Sequence, residues 1–153
     1  MIDMEQAICA LPKAELHVHI EGTIEADLLL TIADRNGISL PYKSAADVVA
    51  GQNKGKSDPK QNLDSFIGVL DVCRGVLRSS RDYEDITYGY LKKCQAENIV
   101  YAEIMFDPQQ GLRQGVGVEA QIEALQSGTQ AATRDFGVEA QWIMNFQRDW
   151  PAE

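Results

Sequence analysis

The sequence is poor in several kinds of residue, and each shortage excludes a class of protein. It has three cysteines among 153 residues (Cys9, Cys73 and Cys94), an odd number without a C-x-x-C pair. This pattern disfavours a disulfide framework and favours reduced thiols in the cytoplasm. Lysine and arginine total 14 against 23 acidic residues, which gives a formal net charge of -9. Because such a surface repels phosphate backbones and anionic membranes, we expect no nucleic-acid and no membrane partner.

Long apolar stretches are also missing, since no apolar run reaches the length that crosses a bilayer. Residues 1–5 are acidic and lack the basic and apolar regions of a signal peptide, so we expect a cytoplasmic protein. Apolar residues nevertheless make up 44% of the chain, which is enough for a core. The length predicts one domain.

Apolar periodicity predicts strands that alternate with helices. The predicted strands are residues 14–20, 99–106 and 138–146. Four helices are predicted. The first begins near residue 24, is capped by Thr23 and ends at Gly37, and the second is capped by Asn62 or Asp64 and runs to about residue 77. The third is capped by Ser80 or Asp82, and the fourth spans residues 118–136. The polar stretch 51–59 is expected to be a loop. This order predicts an α/β fold with parallel strands and right-handed crossovers.

The only two histidines, His17 and His19, end the first predicted strand. Alternate side chains of a strand share a face, so the two imidazoles are expected side by side, where they could bind a divalent metal. Zinc is the leading candidate, although iron, manganese or cobalt accept the same donors. Glu21 could face the same cavity. The alternatives are two hydrogen-bonded histidines at a strand end and a Glu21 that stabilises a helix N-terminus.

Residues 11–23, LPKAELHVHIEGT, resemble the opening strand of the adenosine/adenine deaminase family of metal-dependent amidohydrolases, and are closer to its adenine deaminase branch. The resemblance continues through residues 33–38, 82–91 and 102–109, and covers most of the chain. It implies a (β/α)8 TIM barrel. A complete barrel takes about 250 residues. Residues 1–153 are therefore expected to be the N-terminal portion of one such barrel, with about three βα units and extra helices after the first strand.

The resemblance also implies a reaction, which is zinc-dependent hydrolytic deamination of a 6-aminopurine with release of ammonia. The substrate would be adenine, N6-substituted adenine or adenosine. Within the family, His17 and His19 correspond to zinc ligands, and Glu21 and Gly22 to substrate-binding positions. The family's third histidine, its aspartate ligand and its H-x-x-E acid have no counterpart in this sequence. We therefore expect the isolated chain to be inactive. Whether the protein forms a homo-oligomer is a question that the sequence leaves open.

Glu21 stands where adenosine deaminases commonly place an aspartate that reaches the ribose 5′-hydroxyl. The extra methylene would crowd a ribose, which favours the free base as substrate. Asp107 and Gln109 follow the second predicted strand, a position that is functional in this fold, although Asp-Pro is also an ordinary turn former. Two other functions remain open: a non-catalytic half-barrel interaction module, and an amidohydrolase that acts on a non-purine substrate.

Overall fold

The computed structural model describes residues 3–54, 62–148 and 150. At its centre lies a parallel sheet of β1 (Lys13–His19), β2 (Ile99–Phe106) and β3 (Glu139–Met144), in the order β1-β2-β3. The prediction for β2 is confirmed to the residue. The other two strands are found where they were predicted, with ends displaced by one or two residues.

Seven helices lie among the described residues: α1 (Met4–Ala10), α2 (Ala26–Arg35), α3 (Ala45–Lys54), α4 (Asn62–Gly75), α5 (Ser80–Ala96), α6 (Pro108–Arg113) and α7 (Val118–Phe136). None of these helices has both the length and the apolar character needed to cross a membrane. The loop predicted at 51–59 is wrong for residues 51–54, which belong to α3, while 55–59 lie outside the described residues. Gly51 is needed within this helix because a Cβ there would lie 2.7 Å from the Tyr42 ring.

Two helix starts differ from the prediction. Thr23 does not cap α2, because its hydroxyl donates to the Ile20 carbonyl at 2.8 Å and completes a 3₁₀ turn at Ile20–Gly22. The helix begins at Ala26 instead. α5 is capped by Ser79, whose backbone N–H donates to the Asp82 carboxylate at 2.8 Å. Gly37, with a φ of 65°, follows the end of α2 as predicted.

The helices α5 and α7 pack against each other and against one face of the sheet. Buried members of this core are Ala102, Ile104, Phe106, Ile86, Leu91, Leu125 and Ala132. The two helices approach closely at Gly128, where a Cβ would lie 2.8 Å from the Glu84 carbonyl oxygen. Cys73 and Cys94 are buried free thiols. This packing fixes β2 between its neighbours and places the carboxyl ends of all three strands at one edge.

Candidate active site at the strand ends

A bulge interrupts β1 just before the candidate site. The pairing runs from Glu15 opposite Ala102 to Val18 opposite Ile104, so β1 advances three residues while β2 advances two. His17 lies in this bulge with a left-handed φ of 64°, a conformation that is uncommon for non-glycine residues and is often found at functional sites. Simple strand alternation therefore does not apply between His17 and His19. Their ring centres nevertheless lie 5.9 Å apart.

Three buried polar side chains meet beside His19. Glu21 comes from the 3₁₀ turn after β1, Asp107 directly follows β2, and Arg74 lies in the last turn of α4. The Arg74 guanidinium donates to Asp107 Oδ2, and the Asp107 backbone N–H donates to Glu21 Oε1 at 3.0 Å. Glu21 and Asp107 are each 2% exposed and Arg74 is 5% exposed. Through these contacts α4 holds the ends of β1 and β2 together.

Burial sets the protonation of this cluster. It raises the pKa of the Glu21 carboxyl from 4.5 to about 7, and the hydrogen bond from the Asp107 N–H offsets part of that rise. His19 Nδ1 lies 3.7 Å from Asp107 Oδ2, the same oxygen that Arg74 holds. Glu21 is therefore balanced between its acidic and basic forms near neutral pH, next to an imidazole and an ion pair.

Four buried atoms of the cluster have no hydrogen-bond partner among the described residues: His19 Nδ1, Glu21 Oε2, Arg74 Nε and Asp107 Oδ1. An unpaired buried polar atom costs about 1–3 kcal/mol, so native proteins keep few of them. Ligand atoms of His19, Glu21 and Asp107 lie within 4.8 Å of one another, which is close enough to share one ion. A nitrogen and two carboxylates suit a divalent metal.

An open cavity of about 640 Å³ lies over the cluster. Its lining residues are His19, Arg74, Asp107, Asn145, Phe146, Gln147 and Arg148. The Gln109 amide joins the loops after β2 and β3, because its Oε1 accepts from the Gln147 N–H at 2.6 Å and its Nε2 donates to the Gln147 carbonyl at 3.3 Å. The volume is in the range of small-molecule sites.

The structure brings some of the predicted site residues together and separates others. His19 lines the cavity, with His17 beside it. Glu21 is buried behind Asp107 and is not among the described lining residues. Gly22 lines a separate cavity of about 210 Å³ next to α5. Sequence reasoning missed Arg74, which resembles an ordinary basic residue near a helix C-terminus; its place beside the buried Cys73 is the pattern that could have indicated it.

Comparisons with known proteins show which proteins this chain resembles. A family model described as adenosine deaminase matches residues 12–153. An adenine deaminase of Rhodospirillum rubrum is 40% identical over 139 residues, which are 91% of this chain and 40% of the relative. The crystal structure of an adenine deaminase from Arthrobacter aurescens superposes with a TM-score of 0.80 at 35% identity, over 92% of this chain and 41% of that one.

A crystal structure of an amidohydrolase from Burkholderia ambifaria, with bound zinc, superposes with a TM-score of 0.76 at 30% identity. The alignment covers 94% of this chain and 38% of that one. These similarities confirm the predicted α/β fold class, a partial TIM barrel. The chain spans less than half the length of these relatives.

Proposed function

Because this chain belongs to the adenosine deaminase family, we propose that it forms the N-terminal portion of a barrel enzyme that hydrolytically deaminates a 6-aminopurine and releases ammonia. The observation that carries the proposal is the buried cluster of His19, Glu21 and Asp107 at the carboxyl ends of β1 and β2. Enzymes of this barrel fold place their chemistry at that face. The rest of the barrel would supply the other strands, the remaining metal ligands and the general acid.

Zinc is the metal that we propose for this site, with His17 and His19 as two of its ligands. Two imidazoles on one tetrahedral zinc have ring centres on the order of 5 Å apart, close to the 5.9 Å between these rings. The two buried carboxyl groups next to His19, of Glu21 and Asp107, also suit a site that lies close to a cation. When bound, zinc would supply the Lewis acidity that activates a water molecule at neutral pH. The zinc-containing amidohydrolase with the same fold supports this choice.

The free base, either adenine or N6-substituted adenine, is the substrate class that we propose over the nucleoside. Glu21 carries one methylene more than the aspartate expected in adenosine deaminases. Its Oε1 accepts from the Asp107 N–H at 3.0 Å, which fixes the position of the longer side chain at the strand ends. A difference of one methylene in a pocket changes kcat/KM about 10–200-fold. The similar relatives named adenine deaminase support the same choice.

The proposed activity is tested on the complete enzyme that contains this sequence. We expect adenine turnover, followed as ammonia release, and a loss on the order of a thousandfold in kcat in His19→Ala. Glu123→Gln, on the exposed side of α7, is the matched control and should retain activity. Adenine turnover by the 153-residue chain alone would contradict the assignment of this chain as an incomplete barrel.

The other outcomes of this test identify the alternative functions. Hydrolysis of a non-purine ring or amide, without adenine turnover, would indicate a different amidohydrolase. A stable folded oligomer that turns over no member of the substrate panel would favour the interaction module. Metal analysis of the purified protein measures zinc separately from activity.

The preference for the free base is tested by Glu21→Asp in the complete enzyme. Shortening the side chain should open space for a ribose while it keeps the carboxylate. We expect the ratio of kcat/KM for adenosine to that for adenine to rise about 10-fold or more. An unchanged ratio, or a wild-type enzyme that prefers adenosine, would refute the role of Glu21.

A further inference from the structure

We propose that Asp107, held in place by Arg74, is a positioning residue that orients His19. In this arrangement the carboxylate accepts a hydrogen bond from His19 Nδ1–H, which leaves the lone pair of Nε2 for the metal. The inference rests on the proposed metal-ligand role of His19. It adds two residues to the site beyond the histidine pair: Asp107, directly after β2, and Arg74, in α4.

The first argument is the surroundings of His19 Nδ1. This nitrogen is buried and has no hydrogen-bond partner among the described residues, and Asp107 Oδ2 lies 3.7 Å away. A movement of about 1 Å brings the two atoms to hydrogen-bond distance. A neutral imidazole carries one proton, and a bare Nδ1 lone pair facing a carboxylate oxygen would be repelled. The proton is therefore favoured on Nδ1, as in the carboxylate–histidine pairs that support metal sites.

The second argument is the way in which Asp107 is fixed. Its Oδ2 accepts from the Arg74 guanidinium, and its backbone N–H donates to Glu21 Oε1. A buried carboxylate without a cation would be costly to ionise and would tend to turn toward water. Arg74, itself 5% exposed, offsets that cost and holds the oxygen on the side of His19. Its planar guanidinium holds this geometry better than a lysine would.

A competing arrangement places the metal directly among His19 Nδ1, Glu21 and Asp107, whose ligand atoms lie within 4.8 Å of one another. The guanidinium on Asp107 Oδ2 disfavours this arrangement, because the positive charge of Arg74 would repel the metal ion at short distance. The two arrangements differ in one measurable property. Direct ligation uses Nδ1 of His19, whereas orientation by Asp107 protonates Nδ1 and leaves Nε2 free.

Nitrogen-15 NMR of the metal-free complete enzyme distinguishes the two, and residues 1–153 contribute only two histidines to its spectrum. The experiment is done at pH 8 with a chelator, and His17→Gln and His19→Gln assign the two signals. We expect His19 to be the Nδ1–H tautomer in the wild-type chain. In Asp107→Asn and Arg74→Met it should shift toward the Nε2–H form, and Asp135→Asn on the surface should leave it unchanged. A wild-type His19 with its proton on Nε2 overturns the proposal without any variant.

Titration of the metal-free complete enzyme with zinc alone gives the second measurement. We expect the Nε2 resonance of His19 to move, and Asp107→Asn to weaken zinc binding about 10–100-fold. Zinc bound at Nδ1 would support the direct arrangement and overturn ours. An Asp107-dependent Nδ1–H tautomer in a complete enzyme that binds no zinc would confirm the orientation of His19 and contradict the proposed metal site, so the two failures are distinguishable.

Discussion

Two buried aspartates of this molecule have the same accessibility and opposite surroundings. Asp82 is 0% exposed and Asp107 is 2% exposed. Both oxygens of Asp82 are hydrogen-bonded, with donors on Arg35, Asn36, Arg78 and Ser79. Among the described residues, Asp107 and Glu21 each keep one oxygen without a partner, and His19 keeps one nitrogen without a partner. Burial of charge thus gives a completed structural network at the start of α5 and an incomplete one at the strand ends.

The ionisation of the two clusters follows the same division. Burial alone would raise the pKa of Asp82, but hydrogen bonds from the Arg78 backbone, Arg35 and Asn36 outweigh it and lower the pKa below 3.8. In the other cluster burial prevails and raises the pKa of Glu21. The first carboxylate stabilises the fold in its charged form, and the second destabilises it. Such uncompensated cost is typical of functional sites.

The largest expected effect is at the completed cluster. Asp82→Ala takes one acceptor from Arg35 and Asn36, which keep Asp85 and the Val76 carbonyl, and it leaves the Arg78 and Ser79 backbone N–H groups without their acceptor. We expect the free energy of unfolding at pH 7 to fall by about 2–4 kcal/mol, measured by urea denaturation, because these part-buried N–H groups lose their partner and the capping box of α5 is broken. The stabilisation by Asp82 is present above the pKa of an unfolded aspartate and is lost as the pH falls through its lowered folded pKa.

Asp85→Ala is the matched control for this variant. Asp85 also accepts from Arg35, at 2.6 Å, but its side chain is 32% exposed. Solvent screens this pair, so its loss should cost less than about 1 kcal/mol. Similar losses in the two variants would show that the network at Asp82 contributes no more than a surface ion pair.

The second largest expected effect is at the contact between α5 and α7, the helices that pack beside the Asp82 network. Gly128→Ala would place a methyl group 2.8 Å from both the Glu84 carbonyl oxygen and Thr87 Cβ. We expect α5 and α7 to separate slightly and the free energy of unfolding to fall by about 1–3 kcal/mol. Gly68→Ala, where a Cβ meets nothing within 4 Å, should be neutral or stabilising. If Gly128→Ala is as stable as wild type, α5 and α7 accommodate the methyl group without a loss of free energy of unfolding.

The third expected effect is an increase, not a decrease, in the free energy of unfolding. In the metal-free chain, Glu21→Gln removes a buried charge but keeps an acceptor for the Asp107 N–H. The Glu21 pKa is raised, so folding loses stability as the pH rises from about 4.5 through 7, and the variant avoids that loss. We expect it to be about 1–2 kcal/mol more stable than wild type at pH 8, because its amide still lacks a full set of partners.

At pH 5 both proteins are uncharged at this position, and the advantage of Glu21→Gln should vanish. Denaturation curves at the two pH values make this comparison within one pair of proteins. A variant that is less stable than wild type at pH 8 would show that the cluster is a stabilising network like the one at Asp82.

The two regions also differed in how far the sequence predicted them. β2 and α7 were predicted to the residue because each has a long and regular apolar pattern. The helices α1 and α6 were missed because they have only seven and six residues, too few for a periodic pattern. Cys73 and Cys94 are buried in α4 and α5, as small apolar residues on a periodic helix face usually are.

The site depended on contacts that no local pattern encodes. His17 and His19 stood out as a pair, but the bulge that contains His17 arises from the pairing of β1 with a strand more than 80 residues away. Arg74 meets Asp107 across 33 residues and Asp107 meets Glu21 across 86. Residue type and spacing could therefore indicate where chemistry occurs, while the partners of each group required the tertiary structure.

The smallest expected effect lies at the boundary between the two regions. The Tyr90 hydroxyl donates to Glu15 Oε2 at 2.8 Å and fastens β1 to α5 just before the bulge. Tyr90→Phe should lower the free energy of unfolding by about 1 kcal/mol, because a half-buried carboxylate loses its donor. Tyr88→Phe removes a similar bond to Asp135 on the surface and should lower it less. If the two losses are equal, the bond between Tyr90 and Glu15 stabilises the fold no more than a surface bond does, and the bulge that contains His17 does not depend on it.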